Sequence, residues 1–367
     1  MVEPQSKEIH TRTETSSSFD DNSEDEPVSI GPNKRFWLTS LKVDDARAKL
    51  QPQLGSSVDF ILCSIDQEIS NAPSMLGHIY QFSRLILKSS SEFLIMCVPP
   101  GRWGITTAAV LLGGYLAVCE HMEPEQLSQE FCALSPLFLA FNDADGEENL
   151  ALTVMDCWSA LHRATASGWL DFSDKPSEDS MDMEEHLHYD SLANGQIHVV
   201  VPNKLLAFAC PSDLPEGKLW SDQGGARRFS PSYYGDVLGD FDVSVAVCCC
   251  GANAAGPPYD AAAMAGRGVA LEALPADARS GRLLAAVDRL LTLARAAPGA
   301  LALHGSGRWE EGLLLSACLI RLFGFPAGPA IAWARMSHPP AAVPAPRLAY
   351  FPAGAAGPDA GKAARRN

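Results

Sequence analysis

Residues Leu301 to Phe325 read L-A-L-H-G-S-G-R-W-E-E-G-L-L-L-S-A-C-L-I-R-L-F-G-F. A short apolar run, Ala300 to Leu303, meets a small Gly-bearing turn, His304 to Gly307, and an apolar segment with helical spacing begins near Gly312. That order predicts a strand, a tight loop and a buried helix. First-turn amides of a helix lack internal partners and the helix dipole favours negative charge there. The backbone of Gly305, Ser306, Gly307 and Arg308 is therefore a candidate anion cradle, laid out as a phosphate-binding loop.

The same layout resembles the signature of cysteine-dependent protein phosphatases: His-Cys, five variable residues, then Arg, followed by a buried helix. With His304 fixed, the nucleophile position holds Gly305 and the arginine position holds Glu311. Glycine has no side chain to attack phosphorus, and Ser306 is the one hydroxyl in the loop, with nothing nearby marking a base for it. A carboxylate at the arginine position would repel each unit of phosphate charge by about 4 kcal/mol at roughly 4 Å and an effective dielectric near 20. An arginine fork would instead attract it through two hydrogen bonds. Arg308 lies three residues too early to substitute. The sequence predicts a phosphatase scaffold without phosphatase chemistry.

Composition bounds the rest. The 367 residues leave room for two domains, and 47% apolar residues with 26 prolines and 29 glycines fit a globular body with irregular ends. A net charge of -16 argues against nucleic-acid binding by phosphate contacts and favours protein partners, basic or both phosphorylated and basic. Ten cysteines without C-x-x-C pairs, and no secretory leader at the start of the chain, predict a reducing, intracellular compartment. No cofactor and no metal site is expected. His186 and His188 alone are weak ligand signals, and Cys248 to Cys250, which end a predicted strand, read as buried thiols.

Residues 1–27 form an acidic tail by composition, with S-S-S-F-D-D-N-S-E-D-E-P at Ser16 to Pro27, read as a solvated leader or a site for acid-directed kinases. Strands are predicted at Phe36 to Leu41 and Val58 to Asp66, and a helix around Met75 to Leu87. Phe93 to Val118 then repeats the theme of the organising stretch, with Gly101-Arg102-Trp103 lying over Gly307-Arg308-Trp309 without a gap. Ala108 to Val118 is too short for a bilayer span and predicts a core helix, with no membrane partner. Two related α/β units in tandem follow.

The chain resembles the cell-division-cycle-14 family of dual-specificity phosphatases. Landmarks are colinear over residues 35 to 340: F-W-L-T-S-L and C-S-I-D (Cys63 to Asp66), A-A-V-L-L-G-G-Y-L-A-V with M-E-P-E-Q (Met122 to Gln126), L-T-V-M-D-C-W-S-A-L with G-W-L-D-F (Gly168 to Phe172), and H-Y-D-S-L-A-N-G-Q-I-H-V-V-V-P-N-K-L-L-A-F (His188 to Phe208). The resemblance implies an α/β fold of two tandem dual-specificity-phosphatase-like domains, each a central, mostly parallel sheet flanked by helices. The expected division is a non-catalytic N-terminal domain over 28–165 with Gly101 and Arg102 in its degenerate loop, an acidic connector over 166–194, a C-terminal domain over 195–340 with the degenerate loop at His304, and a flexible Ala/Pro/Gly tail over 341–367.

The resemblance also implies an acidic groove between the domains that selects phosphosites with a basic residue nearby. The run Ser173 to His186 reads either as part of such a groove or as a solvated connector. The family's general acid falls near Asp277, which reads as a remnant of that acid or as the cap of the helix after it. His338 stands where the family's terminal helix is followed by arginine, and the glutamines that position hydrolytic water have no counterpart in A-A-V-P-A-P. Three functional expectations result: a pseudophosphatase that binds protein partners without hydrolysis; an active phosphatase for Ser, Thr or Tyr sites using a displaced thiol such as Cys249 or Cys250; and a structural adaptor. The family setting implies cytoplasm or nucleus, with centrosome or cilium by analogy. The oligomeric state is left open.

Overall fold

The computed structural model describes residues 27–62, 76–141, 152–223, 226–250, 257–275, 282–305 and 308–338. The tail at 1–26, Cys63 to Asp66, Asp277, Ser306, Gly307 and everything after His338 lie outside the described residues.

The first half runs β1 (Val28–Ile30), β2 (Phe36–Thr39), α1 (Val43–Leu54), β3 (Val58–Leu62), α2 (Leu76–Lys88), β4 (Phe93–Cys97), α3 (Arg102–Cys119), α4 (Pro124–Glu130) and α5 (Val154–Ala166). Its strands form a sheet in the order β1-β2-β4-β3, with β4 parallel to both neighbours and β1 antiparallel to β2. Parallel strands must be joined by crossovers, and α1 and the helices α2 and α3 cover opposite faces.

The second half runs α6 (Met183–Asp190), β5 (Ile197–Val201), β6 (Leu205–Phe208), β7 (Trp220–Gln223), β8 (Ala226–Phe229), α7 (Pro231–Asp240), β9 (Val243–Cys250), α8 (Ala262–Ala265), β10 (Ala270–Pro275), α9 (Arg282–Ala296), β11 (Ala300–Gly305), α10 (Arg308–Phe323) and α11 (Ala327–Ser337). The sheet order is β10-β9-β11-β6-β5, parallel except for the β5/β6 pair, and β7 and β8 make a separate hairpin. The fold is therefore α/β, with two mixed, mostly parallel sheets flanked by helices.

Local chemistry sets the helix starts. Thr153 and Asp156 cap α5 reciprocally, Asp182 accepts from the amides of Glu184 and Glu185 at the start of α6, and Ser230 caps α7 ahead of Pro231. Each such cap is worth about 1 kcal/mol. Gly101, at φ 105, turns the chain into α3 where a side chain would be strained. After its first turn α3 is almost wholly apolar and is buried from Ile105 to Val118, as a core helix must be. Among the described residues it is the one helix long and apolar enough to cross a membrane, and 78% of that window is buried inside the fold.

α5 packs between α3 and α11, so one apolar cluster runs from the first sheet into the second. Gly113 and Gly114 let α3 approach closely: Trp158 of α5 lies over Gly113 and donates from Nε1 to the Ala109 carbonyl at 3.0 Å. Trp169 stacks on Phe325 and meets Phe323 edge-on, with Trp333 of α11 alongside.

Several expectations change. β11 runs on through His304 and Gly305, and α10 begins at Arg308 instead of near Gly312. Apolar periodicity registers only the buried stripe of a helix, so it missed the polar first turn of α10. Arg102 likewise opens α3, so the two strand–loop–helix units start their helices at the residues that the gapless overlay pairs. The run Ser173 to His186 is not wholly a solvated connector: Met181, Met183 and His186 are buried, as are Trp169, Leu170 and Phe172 before it. Its acidic residues line the outer side while these apolar side chains anchor it. β1, α1, α4, α6, α7, α8 and the β7–β8 hairpin were not anticipated from the sequence.

Candidate functional site

Side-chain alternation along β11 sorts its residues between two layers. Leu301 and Leu303 join the cluster under α10 and α11, while Ala300 and Ala302 join the cluster under α7 and α8. His304 follows Ala300 and Ala302 onto the second layer. Its ring lies against Phe208 and Tyr259, and its Nε2 is 2.7 Å from the Tyr259 hydroxyl. The ring is fully buried and burial pulls its pKa down to about 3, so it is a neutral imidazole. Its partner Tyr259 had no sequence signal beyond being an aromatic residue after a Gly- and Pro-rich stretch.

Gly305 ends the strand opposite Cys249, and His304 lies opposite Cys248. Both cysteines are buried, Cys248 at 2% and Cys249 at 1% exposure. The amides of Gly305 and Arg308 bracket Ser306 and Gly307, so the centre of the expected cradle lies outside the described residues. Asp277 lies outside them too, two residues after β10 ends at Pro275.

Glu311 does not do what a charged side chain in a cradle would do. It is 5% exposed in the first turn of α10, and Oε1 sits 3.3 Å from Nε2 of His338, just past the end of α11. Desolvation raises its pKa well above the carboxylate range. Burial equally pulls His338 down to about 3. The two shifts agree: the pair is a neutral acid beside a neutral imidazole, and not an ion pair. The phosphate repulsion expected from a Glu311 carboxylate is therefore corrected, because a buried carboxyl group holds its proton.

The contacts continue beyond this pair. His338 Nδ1 is 2.8 Å from Nδ1 of His198 on β5, and His198 Nε2 is 2.8 Å from Oδ1 of Asp190, which ends α6. The Asp190 side chain is half-exposed, and its bond to His198 lowers its pKa. His186, one turn earlier on α6, packs its ring 5.9 Å from that of His198 and is held neutral by burial, at about 4. Neither Asp190 nor His198 was singled out from the sequence. The one available signal was parity: His198 occupies an inward position of the strand I-H-V-V-V, where a polar side chain needs a partner.

In the first half, Gly101 caps α3 and Arg102 donates from Nε to the carbonyl of Leu137 and from Nη2 to those of Pro136 and Phe138. That guanidinium is thereby committed to the loop before Leu139. Cys97 at the end of β4 is buried and its thiol is pushed up to about 11, far from a thiolate. Among the described residues, no group of three or more His, Cys, Asp or Glu could hold a metal ion.

Residues 61–164, from the end of β3 to α5, match the family model described as dual specificity protein phosphatase, N-terminal half. The chain is related to the CDC14 dual-specificity phosphatases. It is 28% identical over 235 residues to dual specificity protein phosphatase CDC14AB of Danio rerio, covering 63% of this chain and 36% of the relative. To CDC14C of Homo sapiens it is 26% identical over 234 residues, covering 63% of this chain and 49% of the relative. The match thus spans less than half the length of either relative. Among solved structures, the crystal structure of PTPMT1 aligns with 42% of this chain and 89% of its own at 15% identity and a TM-score of 0.32.

Proposed function

We propose that this chain is a catalytically silent relative of the CDC14 phosphatases, a pseudophosphatase that binds protein partners, among them phosphorylated and basic ones. One observation carries the reading. The position that the phosphatase pattern fills with a phosphate-clamping arginine holds Glu311, a carboxylic acid sealed in the core against His338. The nucleophile position holds Gly305, at the end of β11, which has no atom to offer phosphorus. Residues 28–165 and 195–340 are taken as the two units of the tandem fold. The acidic residues from Asp171 to Glu184, on the outer side of the anchored connector, are the surface that suits a basic partner. The burial of Cys248 and Cys249 speaks against an alternative thiol nucleophile.

The test pairs turnover with binding on the purified chain. Incubation with p-nitrophenyl phosphate and with phosphopeptides carrying a nearby basic residue should release no phosphate above the buffer background, while the same peptides bind saturably. Phosphate release abolished by Ser306→Ala or Cys249→Ser would overturn the reading. Phosphate or tungstate should raise the melting temperature if the cradle amides bind anions, because a ligand bound only by the native state stabilises it. No shift, with peptide binding retained, would point to an adaptor that does not use the cradle.

A further inference from the structure

Four side chains that the phosphatase pattern does not use lie in one file: Asp190 of α6, His198 of β5 and His338 beyond α11 are joined by hydrogen-bond contacts of 2.8 and 2.8 Å, and Oε1 of Glu311 of α10 lies 3.3 Å from His338 Nε2, a close contact in which neither atom makes a hydrogen bond. His198 is 0% exposed, His338 and Glu311 are nearly so, and only Asp190 reaches solvent. A file of this kind can hold its contacts in only a few proton arrangements, because two facing Nδ1 atoms must comprise one donor and one acceptor. The bonding assigns the order from its charged end. Asp190 is ionised and accepts, so His198 carries its proton on Nε2 and presents a lone pair at Nδ1. His338 must then donate from Nδ1, which leaves its Nε2 as an acceptor. An ionised Glu311 would set its charge against that lone pair at 3.3 Å, so the uncharged acid suits the contact. The two hydrogen bonds fix the order, and the Glu311 contact is compatible with it.

We propose that Asp190, His198, His338 and Glu311 form a proton relay with one tautomeric order, which latches the first turn of α10 to α6 across β5 and is released by acid. Release follows from the geometry. If both imidazoles are charged, two N–H groups confront each other at 2.8 Å and the His198–His338 contact cannot persist. The other charged and titratable groups around the file set its context. His186 and Glu185 lie on α6, and His78 of α2 acts on Asp190. Arg335 lies on α11 and acts on Cys157 of α5, while Arg295 of α9 acts on Cys318 of α10. His186 adds positive charge beside His198 when it protonates, and so promotes release. His304, on the opposite face of the sheet, is not part of the file. The relay would thus report the acidity at Asp190 to the helix that follows the candidate cradle.

The test uses the full chain with 15N-labelled histidine. At pH 7, long-range proton–nitrogen spectra should place the His198 proton on Nε2 and the His338 proton on Nδ1, two different tautomers in contact. On acidification both rings should stay neutral past the ordinary histidine range and then gain charge in one shared step. In that step amide protection along Leu313 to Ile320 should fall at least about tenfold, the change that one pKa unit represents. Asp190→Leu, at a half-exposed position that tolerates the change, removes the anchor of the order and should move the His338 proton toward Nε2, two links away. Asp190→Asn keeps the acceptor oxygen and should preserve both tautomers. The same tautomer on both rings, a charged ring at pH 7, rings that titrate separately by more than about one unit, or a His338 tautomer unmoved by Asp190→Leu would each overturn the proposal.

Discussion

Replacing Glu311 by glutamine should stabilise this protein at neutral pH, although it alters a buried polar side chain. In the fold Glu311 is protonated because its carboxyl group is desolvated beside the uncharged His338. In the unfolded chain it ionises near the ordinary value of about 4.3. The folded pKa is the raised one, so the stabilising contribution of the acid is fully present below about pH 4.3. It is lost as pH rises towards the folded value. The slope is about 1.4 kcal/mol for each pH unit until Glu311 ionises within the fold. A glutamine amide is uncharged and close to the same shape, so it keeps the 3.3 Å approach to His338 with no proton to take up. The stability difference between Glu311→Gln and the natural chain should therefore be near zero at pH 4.5 and grow in the variant's favour by about 1.4 kcal/mol per unit. Urea denaturation followed by tryptophan fluorescence at half-unit steps from pH 4.5 to 7.5 measures it. The histidine contributions are common to both proteins and cancel. A difference that stays flat over two pH units would refute the reasoning, because it would mean that Glu311 has the same proton affinity folded and unfolded.

Three further outcomes are expected. The natural chain should lose stability steeply as pH falls below about 6.5, the unfolded histidine value, towards the folded values of about 4 for His186 and about 3 for His304 and His338. Here the folded pKa is the lowered one, so the unfolded chain binds the extra protons, and each such ring costs about 1.4 kcal/mol per unit in equilibrium denaturation. Tyr259→Phe leaves the buried His304 Nε2 without its hydroxyl partner and should cost about 1–3 kcal/mol, read as a lower urea midpoint at unchanged slope. Gly113→Ala puts a methyl group onto the Trp158 indole between α3 and α5 and should cost about 1–3 kcal/mol by overpacking, read as a lower melting temperature.

Where apolar periodicity was strong, the chain was legible. The repeated strand, loop and helix appear as β4 with α3 and as β11 with α10, and each of these strands lies inside its sheet with parallel neighbours on both sides. Elements were shortened or missed where they carry no apolar stripe of their own: the polar first turn of α10 was left off, and the weakly amphipathic α1 and α6, inside an acidic run that reads as solvated, were not predicted. In the last case Asp182 caps the helix, and Met183 and His186 turn inward. Two isolated inward residues are too few to register as a period.

The candidate site divides along the same line. That Gly305 and Glu311 fall on the nucleophile and arginine positions is a matter of spacing along the chain, and spacing is written in the sequence. The charge of Glu311 is not. A proton's affinity depends on what replaces water around the group, and the groups that do so here come from positions as far apart as His198 and His338, 140 residues distant. Sequence alone determined which side chains are present and which strand faces they occupy. Only the tertiary structure decided that a carboxylate expected to repel phosphate is a neutral acid turned into the core, because desolvation is set by neighbours that no local pattern names.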